Sequence, residues 1–479
     1  MSGEWLPRMA RRCGLAVTAM VVIGVAMLIE ARGHERPAAI DQPIQKIILM
    51  SIDALRADRL GCYGYQEAET SPTIDAWARR ALLFERAFSQ APWTVPSLAS
   101  LMSGRYPAEV GAHTNLHGDI VMRTDTLAER LHRLGYRTAF FNTNPVLWRP
   151  GIRRGFDAAA PAPLGRKIPY TSVEPLVMKW LDEHAREKFF LWIHDMDTHM
   201  PPTEGNPYLG TAGWQPYDAE VRWVDEAVRR LFAKLDTLGI RDEVLIIFTA
   251  DHGEAFGEHK LYGHDSVIYD EVLHIPLIVQ YPGMVRKGRV PTPVALLDVH
   301  ATITELAGAA VRATDRGESL VPRTAIETTH VRDRQVFSSR YYFTDDIVDS
   351  ASGAVLAAAS THHLALHAGR WALVAKVPVS GSIGHAGEGE VDDRALPDWT
   401  TTSTGASYEL YDLATDPLEQ HDASAAQPTV LADLRQALGE WKQLIASGER
   451  PNEAAKGAST TVDQATRDAM HALGYTVSR

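Results

Sequence analysis

Continuous apolar runs that alternate with amphipathic segments restrict the fold of this chain more than any other feature. Each run is short and rich in β-branched or aromatic residues, which is typical of strands buried on both faces. The runs are KIILMSID (46–53), RTAFFNTN (137–144), KFFLWIHD (188–195), EVLIIFTAD (243–251) and HIPLIVQYPG (274–283). Helix-like segments precede three of them, at 124–136, 173–187 and 217–240. The alternation predicts an α/β fold, doubly wound, with a mostly parallel sheet flanked by helices.

The pattern changes after about residue 310. GRWALVAKVPV (369–379) and ASYELYDLATDP (406–417) are typical of antiparallel strands, and VLADLRQALGEWKQLI (430–445) has helical periodicity. We therefore predict a catalytic domain over 45–345 and a smaller α+β C-terminal subdomain with a polar tail over 346–479.

The N-terminus has the order of an export signal. Arg8, Arg11 and Arg12 precede the apolar run at 14–29, and a basic flank before an apolar run is typical of a signal peptide or signal anchor. A buried core helix is the alternative. We expect a signal peptide or anchor over 1–31, a linker over 32–44, and an exported protein. That protein would be secreted or would work in the cell envelope, on the periplasmic or extracytoplasmic side, with membrane association through 14–29.

Composition limits the partners and the kind of site. The formal net charge of −12 argues against a nucleic-acid partner. The two cysteines, Cys13 and Cys62, are too few for a cysteine-rich metal site, and Cys13 lies in the export segment, so no structural disulfide is expected. The sequence leaves the oligomeric state open.

Three aspartates end apolar runs. They are Asp53, Asp195 and Asp251, and the carboxyl ends of parallel strands meet at one edge of a sheet, where ligands bind. For a single aspartate, a turn or helix cap is the simpler explanation. His252 and His264 follow Asp251 closely, and this clustering favours a site. Carboxylates with imidazoles suit one divalent cation such as Ca, Mg, Mn or Zn.

Thr94 precedes a helix-like stretch in APWTVPSLASLMSGRYP (91–107). It could cap that helix. It could instead be a nucleophile, which would need activation because a free hydroxyl is weak at neutral pH. A cation held by Asp53, Asp251 and His252 would supply that activation. The helix N-terminus would favour an anion.

Five segments in series resemble the sulfatase family of the alkaline-phosphatase superfamily. The segments are IILMSIDALRADRLGCYGY, SPTIDAWARRALLFERAFS, TVPSLASLMSGRYP, FTADHGEAFGEHKLYGH and ELYDLATDPLEQHD. The resemblance spans about 45–445. It implies an alkaline-phosphatase-like fold and a metal-dependent ester hydrolase.

The chain departs from the family at several functional positions. Thr94 stands where the family carries a Cys or Ser that becomes formylglycine, and Leu98 stands at the motif arginine, whereas the later Arg105 is kept. Ala54 replaces a second aspartate. NTNPVL (142–147) replaces GKWHLG, and His264 replaces a lysine. The resemblance is therefore to a threonine-nucleophile variant that acts on a phosphodiester or another phosphoryl ester in preference to a sulfate ester.

The resemblance assigns roles to the remaining candidates. The metal would be held by Asp53, Thr94, Asp251 and His252. Arg105 would support the nucleophile segment, and an anionic ester substrate would meet His194, His199 and His264, the last two also as catalytic groups. A second metal, held with Asp195 and His199, is the less favoured alternative. Three rival functions stay open: a sulfuric ester hydrolase of the arylsulfatase kind, an envelope transferase of phospho-head groups, and a binding protein that keeps the fold without catalysis.

Overall fold

The structure is a computed structural model of the chain. It describes residues 42–112, 115, 124–147, 150–160, 167–264, 268–282, 287–321, 334–340, 346–348, 355–358, 361–378 and 405–447. The apolar run at 14–29, with the membrane association expected of it, lies outside the described residues. No helix in the described ranges is long and apolar enough to cross a membrane.

A central sheet of eight strands carries the larger part of the chain. Its strands are β1 (Lys46–Ile52), β2 (Leu82–Phe88), β3 (Arg137–Asn142), β4 (Ala158–Ala160), β5 (Phe189–Asp195), β6 (Val244–Ala250), β9 (His274–Gln280) and β10 (Gly288–Ala295). A small hairpin, β7 (Ala255–Phe256) with β8 (Tyr262–Gly263), follows β6. The strand order is β10-β2-β9-β6-β1-β5-β3-β4, so β1 lies between β5 and β6.

The sheet is mostly parallel, as the sequence predicts, with one exception. Strand β9 pairs antiparallel with both β2 and β6. Thr249 near the end of β6 pairs with Leu277 near the start of β9, so β9 starts at the edge where β6 ends and runs back. Periodicity identified 274–283 as a strand but carries no information about strand direction.

Nine α-helices are described. They are α1 (Pro72–Ala78), α2 (Thr94–Ser103), α3 (Leu127–Arg133), α4 (Pro150–Arg153), α5 (Glu174–His184), α6 (Pro216–Leu238), α7 (Asp270–Leu273), α8 (Leu297–Leu306) and α9 (Pro428–Ser447). The helices flank the sheet in two groups: α6 packs against α1 and α5, and α2 packs against α3 and α8. The strands β1, β5 and β6 between them are buried along their whole length, apart from the first residue of β1.

The C-terminal part forms a second, smaller core. An antiparallel sheet in the order β11-β14-β15-β16 contains β11 (Gln335–Arg340), β14 (Thr361–Ala368), β15 (Trp371–Pro378) and β16 (Ser407–Asp412), and β12 (Asp346–Val348) pairs with β13 (Val355–Ala358). Helix α9 packs on this core through Trp441, whose ring stacks on Phe337 at 5.2 Å. Because β11 belongs to this sheet, the sheet begins before the predicted boundary at residue 345.

Candidate active site

The sheet order brings three strand ends together. Ile52 at the end of β1 pairs with Asp195 of β5 on one side and with Ala250 of β6 on the other. Backbone hydrogen bonds continue past the strands, since the Asp53 N–H donates to the Asp195 carbonyl at 2.8 Å. Asp53 and Asp251 therefore leave adjacent strands at the same edge, as the parallel-sheet argument requires.

Asp53, Asp251 and His252 form a group of three candidate metal ligands, called here the ligand group. One ligand atom from each lies within 4.8 Å of the others, and all three residues are buried. His252 Nε2 lies 3.7 Å from Asp53 Oδ1 and 3.5 Å from Asp251 Oδ2. Neither of those carboxylate oxygens has a hydrogen-bond partner, although both are buried. Buried, unpaired carboxylate oxygens are costly, and a divalent cation between them would remove that cost.

The second oxygen of each carboxylate is held by the protein. Asp251 Oδ1 accepts the N–H groups of Ala54 at 3.1 Å and His252 at 2.9 Å. Asp53 Oδ2 accepts from the Asn144 amide and lies 3.3 Å from His194 Nε2. These bonds orient both carboxylates, so the remaining oxygens face His252.

The His252 ring is also oriented. Its Nδ1 lies 2.8 Å from the Gly253 carbonyl, and Nδ1–H donation there leaves Nε2 with its lone pair toward the two carboxylates. Burial and the charge of Asp53 raise the pKa of Asp251 well above its usual range. For Asp53, burial acts upward, but the His194 hydrogen bond and the surrounding imidazoles hold the pKa below its usual range. The donor set and its geometry fit one divalent cation.

Thr94 is the first residue of α2 and lies against the ligand group. Its Oγ1 is 3.3 Å from His252 Nε2, and the residue is fully buried. The N-cap position is Trp93, which makes no side-chain cap. The second N–H of the helix, that of Val95, donates to Asn115 Oδ1 at 2.9 Å. The Thr94 hydroxyl therefore faces the ligand group rather than capping the helix.

Ser97 fixes α2 to the end of β6. Its hydroxyl donates to the Asp251 carbonyl at 2.6 Å and accepts from Ser89 at 2.9 Å. Leu98, at the family's arginine position, is fully buried in the main core instead of reaching the site. The N-terminal turn of α2 is thus anchored by a hydroxyl network and an apolar contact.

The predicted His199 and His264 join the same site. The β7–β8 hairpin pairs Ala255 with Gly263 and so returns His264 to within a ring distance of 4.4 Å from His252. His264 Nδ1 lies 3.1 Å from Glu254 Oε1. The His199 ring stands edge-on to His264 at 5.2 Å. Both histidines are buried beside the ligand group.

The other two candidates, His194 and Arg105, have different surroundings. His194 has protein partners at both ring nitrogens, namely Asp53 and the Ser51 hydroxyl. It therefore helps to hold the Asp53 carboxylate in place. Arg105 follows the C-terminal end of α2, and about 15 Å of helix rise separates it from Thr94. The structure does not bring Arg105 to the nucleophile position.

Asp195 does not join a second group of ligands. Among the described residues, only Asp53, Asp251 and His252 bring three candidate ligand atoms together. Asp195 Oδ1 instead accepts the Asp197 N–H at 2.9 Å, and His199 Nδ1 lies 2.6 Å from the Met200 carbonyl. In the described part of the chain, a second metal bound by Asp195 and His199 would therefore have no third ligand.

Sequence reasoning missed several residues that support the site. Asn144, which bonds Asp53, follows β3 at the carboxyl edge, so the strand-end argument could have found it. The sequence indicated Glu254 only as a member of the cluster of polar residues that follows Asp251. Lys167 holds the segment that carries His199, and a single lysine in a loop gave no signal.

Comparison with known proteins agrees with this geometry. The family model described as Sulfatase matches residues 45–309. N-acetylgalactosamine-6-sulfatase of Rattus norvegicus is 26% identical over 359 residues, 61% of this chain and 68% of that protein. The Ulvan-active sulfatase of Formosa agariphila is 24% identical over 58% of this chain and 65% of that protein.

A solved structure supports the fold. The phosphonate monoester hydrolase of Agrobacterium radiobacter superposes with a TM-score of 0.61 at 20% identity, covering 84% of this chain and 95% of that one. The family model covers more than half of the chain, and its range contains the ligand group and Thr94. The chain therefore belongs to the sulfatase family and is an ester hydrolase.

Proposed function

We propose that this chain is a metal-dependent hydrolase with Thr94 as its nucleophile, acting on a phosphodiester or another phosphoryl ester in preference to a sulfate ester. The observation that carries the proposal is the position of Thr94 Oγ1, buried 3.3 Å from His252 Nε2 at the start of α2. A hydroxyl there has the activation that a threonine nucleophile needs.

The nucleophile's chemistry favours phosphorus. A formylglycine hydrate carries two hydroxyls on one carbon, so one can expel the group that the other has captured. A threonine ester has a single oxygen, and water must open it at phosphorus or sulfur. A single alkoxide nucleophile can perform this two-step phosphoryl transfer.

The neighbours of the ligand group favour an ester with one negative charge. In the described ranges, the side chains that hydrogen-bond its side-chain atoms are the imidazole of His194, the amide of Asn144 and the hydroxyl of Thr94. No guanidinium or ammonium group is among these side chains. A phosphodiester carries one negative charge and a phosphomonoester carries up to two, so this set of neighbours favours the diester over the monoester.

The reaction proceeds in two displacements. Asp53, Asp251, His252 and Thr94 would hold the divalent cation, which would neutralise charge and lower the pKa of the threonine hydroxyl when bound. Thr94 loses its proton to solvent before the reaction, and its alkoxide oxygen attacks phosphorus. The bond to the leaving oxygen breaks, and the protonated imidazole of His264 or His199 gives that oxygen a proton. Water then attacks phosphorus, returns a proton to the same imidazole, and releases Thr94.

Sulfate-ester hydrolysis is the second candidate, because the two relatives named above are sulfatases. An envelope transferase would need an acceptor alcohol in place of water, and the run at 14–29 is compatible with export to that compartment. A binding protein without catalysis would purify with little metal and keep its stability.

The test compares three aryl esters at one pH. The full-length protein is assayed on bis(4-nitrophenyl) phosphate, 4-nitrophenyl phosphate and 4-nitrophenyl sulfate with Mg, Mn, Ca or Zn. We expect the diester to give the highest kcat/KM. Thr94→Ala should lose at least about a thousandfold in kcat, whereas Thr94→Ser keeps measurable turnover. Undiminished turnover by Thr94→Ala would overturn the nucleophile assignment, and preference for the sulfate would overturn the phosphoryl preference.

A further inference from the structure

A half-buried lysine ammonium lies beside the active site in a ring of backbone carbonyls. Lys167 Nζ donates to the carbonyls of Asp197 at 2.9 Å, His199, and Pro201 at 2.9 Å. A lysine has three N–H donors, and these three alternate carbonyls accept all of them. The segment 197–201 therefore wraps around a cation that belongs to the chain itself.

Three buried carboxyl groups surround this ammonium. They are Asp195, Asp197 and Glu220, and with Lys167 they form what we call the Lys167 cluster. Burial lowers the pKa of Lys167, and the charges of Glu220, Asp197, Asp195 and Asp53 oppose that shift. The cluster also joins two loops, because the Tyr170 N–H donates to the Asp197 carboxylate at 3.2 Å.

The segment around Lys167 carries His199 into the active site. On one side, the Thr198 hydroxyl donates to the Asp53 carbonyl. On the other, Glu220 Oε1 accepts the Thr203 N–H at 2.7 Å. Between these anchors, the carbonyl of His199 itself is bound by Lys167. A backbone held at alternate carbonyls has little freedom, and the His199 ring that this backbone carries stands edge-on to His264.

We propose that Lys167 is a positioning residue, whose ammonium replaces a bound cation in the 197–201 turn and thereby holds His199 against the reacting ester. This inference rests on the proposed role of His199 in the reaction. Lys167 donates to backbone carbonyls and acts on the substrate only through the histidine.

A double-mutant cycle separates positioning from general stabilisation. The variants are Lys167→Met, His199→Ala and the double variant, each as the full-length, metal-loaded protein, assayed on whichever of the three aryl esters the wild type hydrolyses fastest. We expect Lys167→Met and His199→Ala each to lower kcat/KM at least about tenfold, and the double variant to match His199→Ala within about twofold. Metal content should remain at the wild-type value in all three.

Lys188→Met is the matched control. Lys188 is also half-buried and donates to a carbonyl, that of Leu134 at 3.1 Å, over the Tyr136 ring and away from the active site. This variant should keep the wild-type kcat/KM. If circular dichroism finds Lys167→Met unfolded, Lys167→Gln, which removes the charge but keeps two N–H donors, takes its place in the cycle.

Two outcomes would overturn the inference: a folded Lys167 variant with wild-type kcat/KM, or losses that multiply in the double variant. Failure of the proposed function is a separate result. It would appear as retained activity in Thr94→Ala or as preference for the sulfate ester, and the cycle could be interpreted in either case.

Discussion

Two sets of buried carboxyl groups lie at the same edge of the sheet, and each requires a positive charge. In the Lys167 cluster, the chain supplies that charge as an ammonium bound by three carbonyls. In the ligand group, Asp53 Oδ1 and Asp251 Oδ2 are buried without hydrogen-bond partners. The side chains that bond the ligand group's side-chain atoms in the described ranges are imidazole, amide and hydroxyl groups.

This difference in the source of positive charge indicates that the two sets have different roles. An internal cation cannot leave or take a new ligand, so the Lys167 cluster can only hold the backbone in place. An external divalent cation would keep coordination positions for the substrate and, in the proposed mechanism, for Thr94 Oγ1. A positive charge therefore has a structural role in the Lys167 cluster, and in the proposed mechanism it has a catalytic role in the ligand group.

Removing a ligand should give the largest effect. Asp251→Asn loses one charge and a ligand oxygen, so the metal should dissociate and kcat should fall at least about a thousandfold. Metal content by mass spectrometry and turnover measure this. Asp197→Asn, in the Lys167 cluster, is the control and should keep its metal. Full metal content and turnover in Asp251→Asn would contradict the assignment.

Removing the internal cation should lower stability whether or not metal is present. Lys167→Met leaves the carbonyls and carboxyl groups of its cluster without their cation, which should reduce the free energy of unfolding by about 3 kcal/mol. Urea denaturation with and without chelator measures the change. A loss seen only with metal bound would mean that the two sets are not independent.

Removing the external cation should destabilise only through the ligand group. A metal at a hundred times its dissociation constant adds about 2.7 kcal/mol to the folded state, and a chelator should remove that increment. Asp251→Asn should show no response to chelator, whereas Lys188→Met should respond like the wild type. Equal responses in Asp251→Asn and wild type would place the metal elsewhere.

A buried histidine outside both sets provides the smallest test. Burial, and secondarily Arg130, lower the pKa of His300 to about 4, while Asp315 opposes the shift. The unfolded state therefore binds more protons between pH 6.5 and 4, so this group's contribution to stability falls as the pH falls through that window. From pH 6.5 to 5.5 the loss is about 1 kcal/mol.

His300→Gln should remove that part of the pH dependence. His300 Nδ1 lies 3.0 Å from the Leu101 carbonyl on α2, so the variant has its own constant cost, and the slope is the quantity to compare. Urea denaturation at several pH values measures it. An unchanged slope would assign the pH dependence to other groups.

Much of the site was predictable because it depends on strand ends. The apolar runs located β1, β5 and β6, and their final residues identified Asp53 and Asp251. Local patterns could not show that His194 turns back onto Asp53 or that Arg105 lies beyond the far end of α2. Both facts depend on which way a side chain or helix points once the elements pack.

The sequence alone determined the α/β class, the smaller C-terminal sheet and the residues that could bind a cation, because periodicity and strand ends are local properties. Only the tertiary structure decided which oxygens of Asp53 and Asp251 remain available, that Thr94 faces His252, and that Lys167 holds the turn of His199. Those relations join residues tens to hundreds of positions apart, so they exist only when packing fixes distance and direction together.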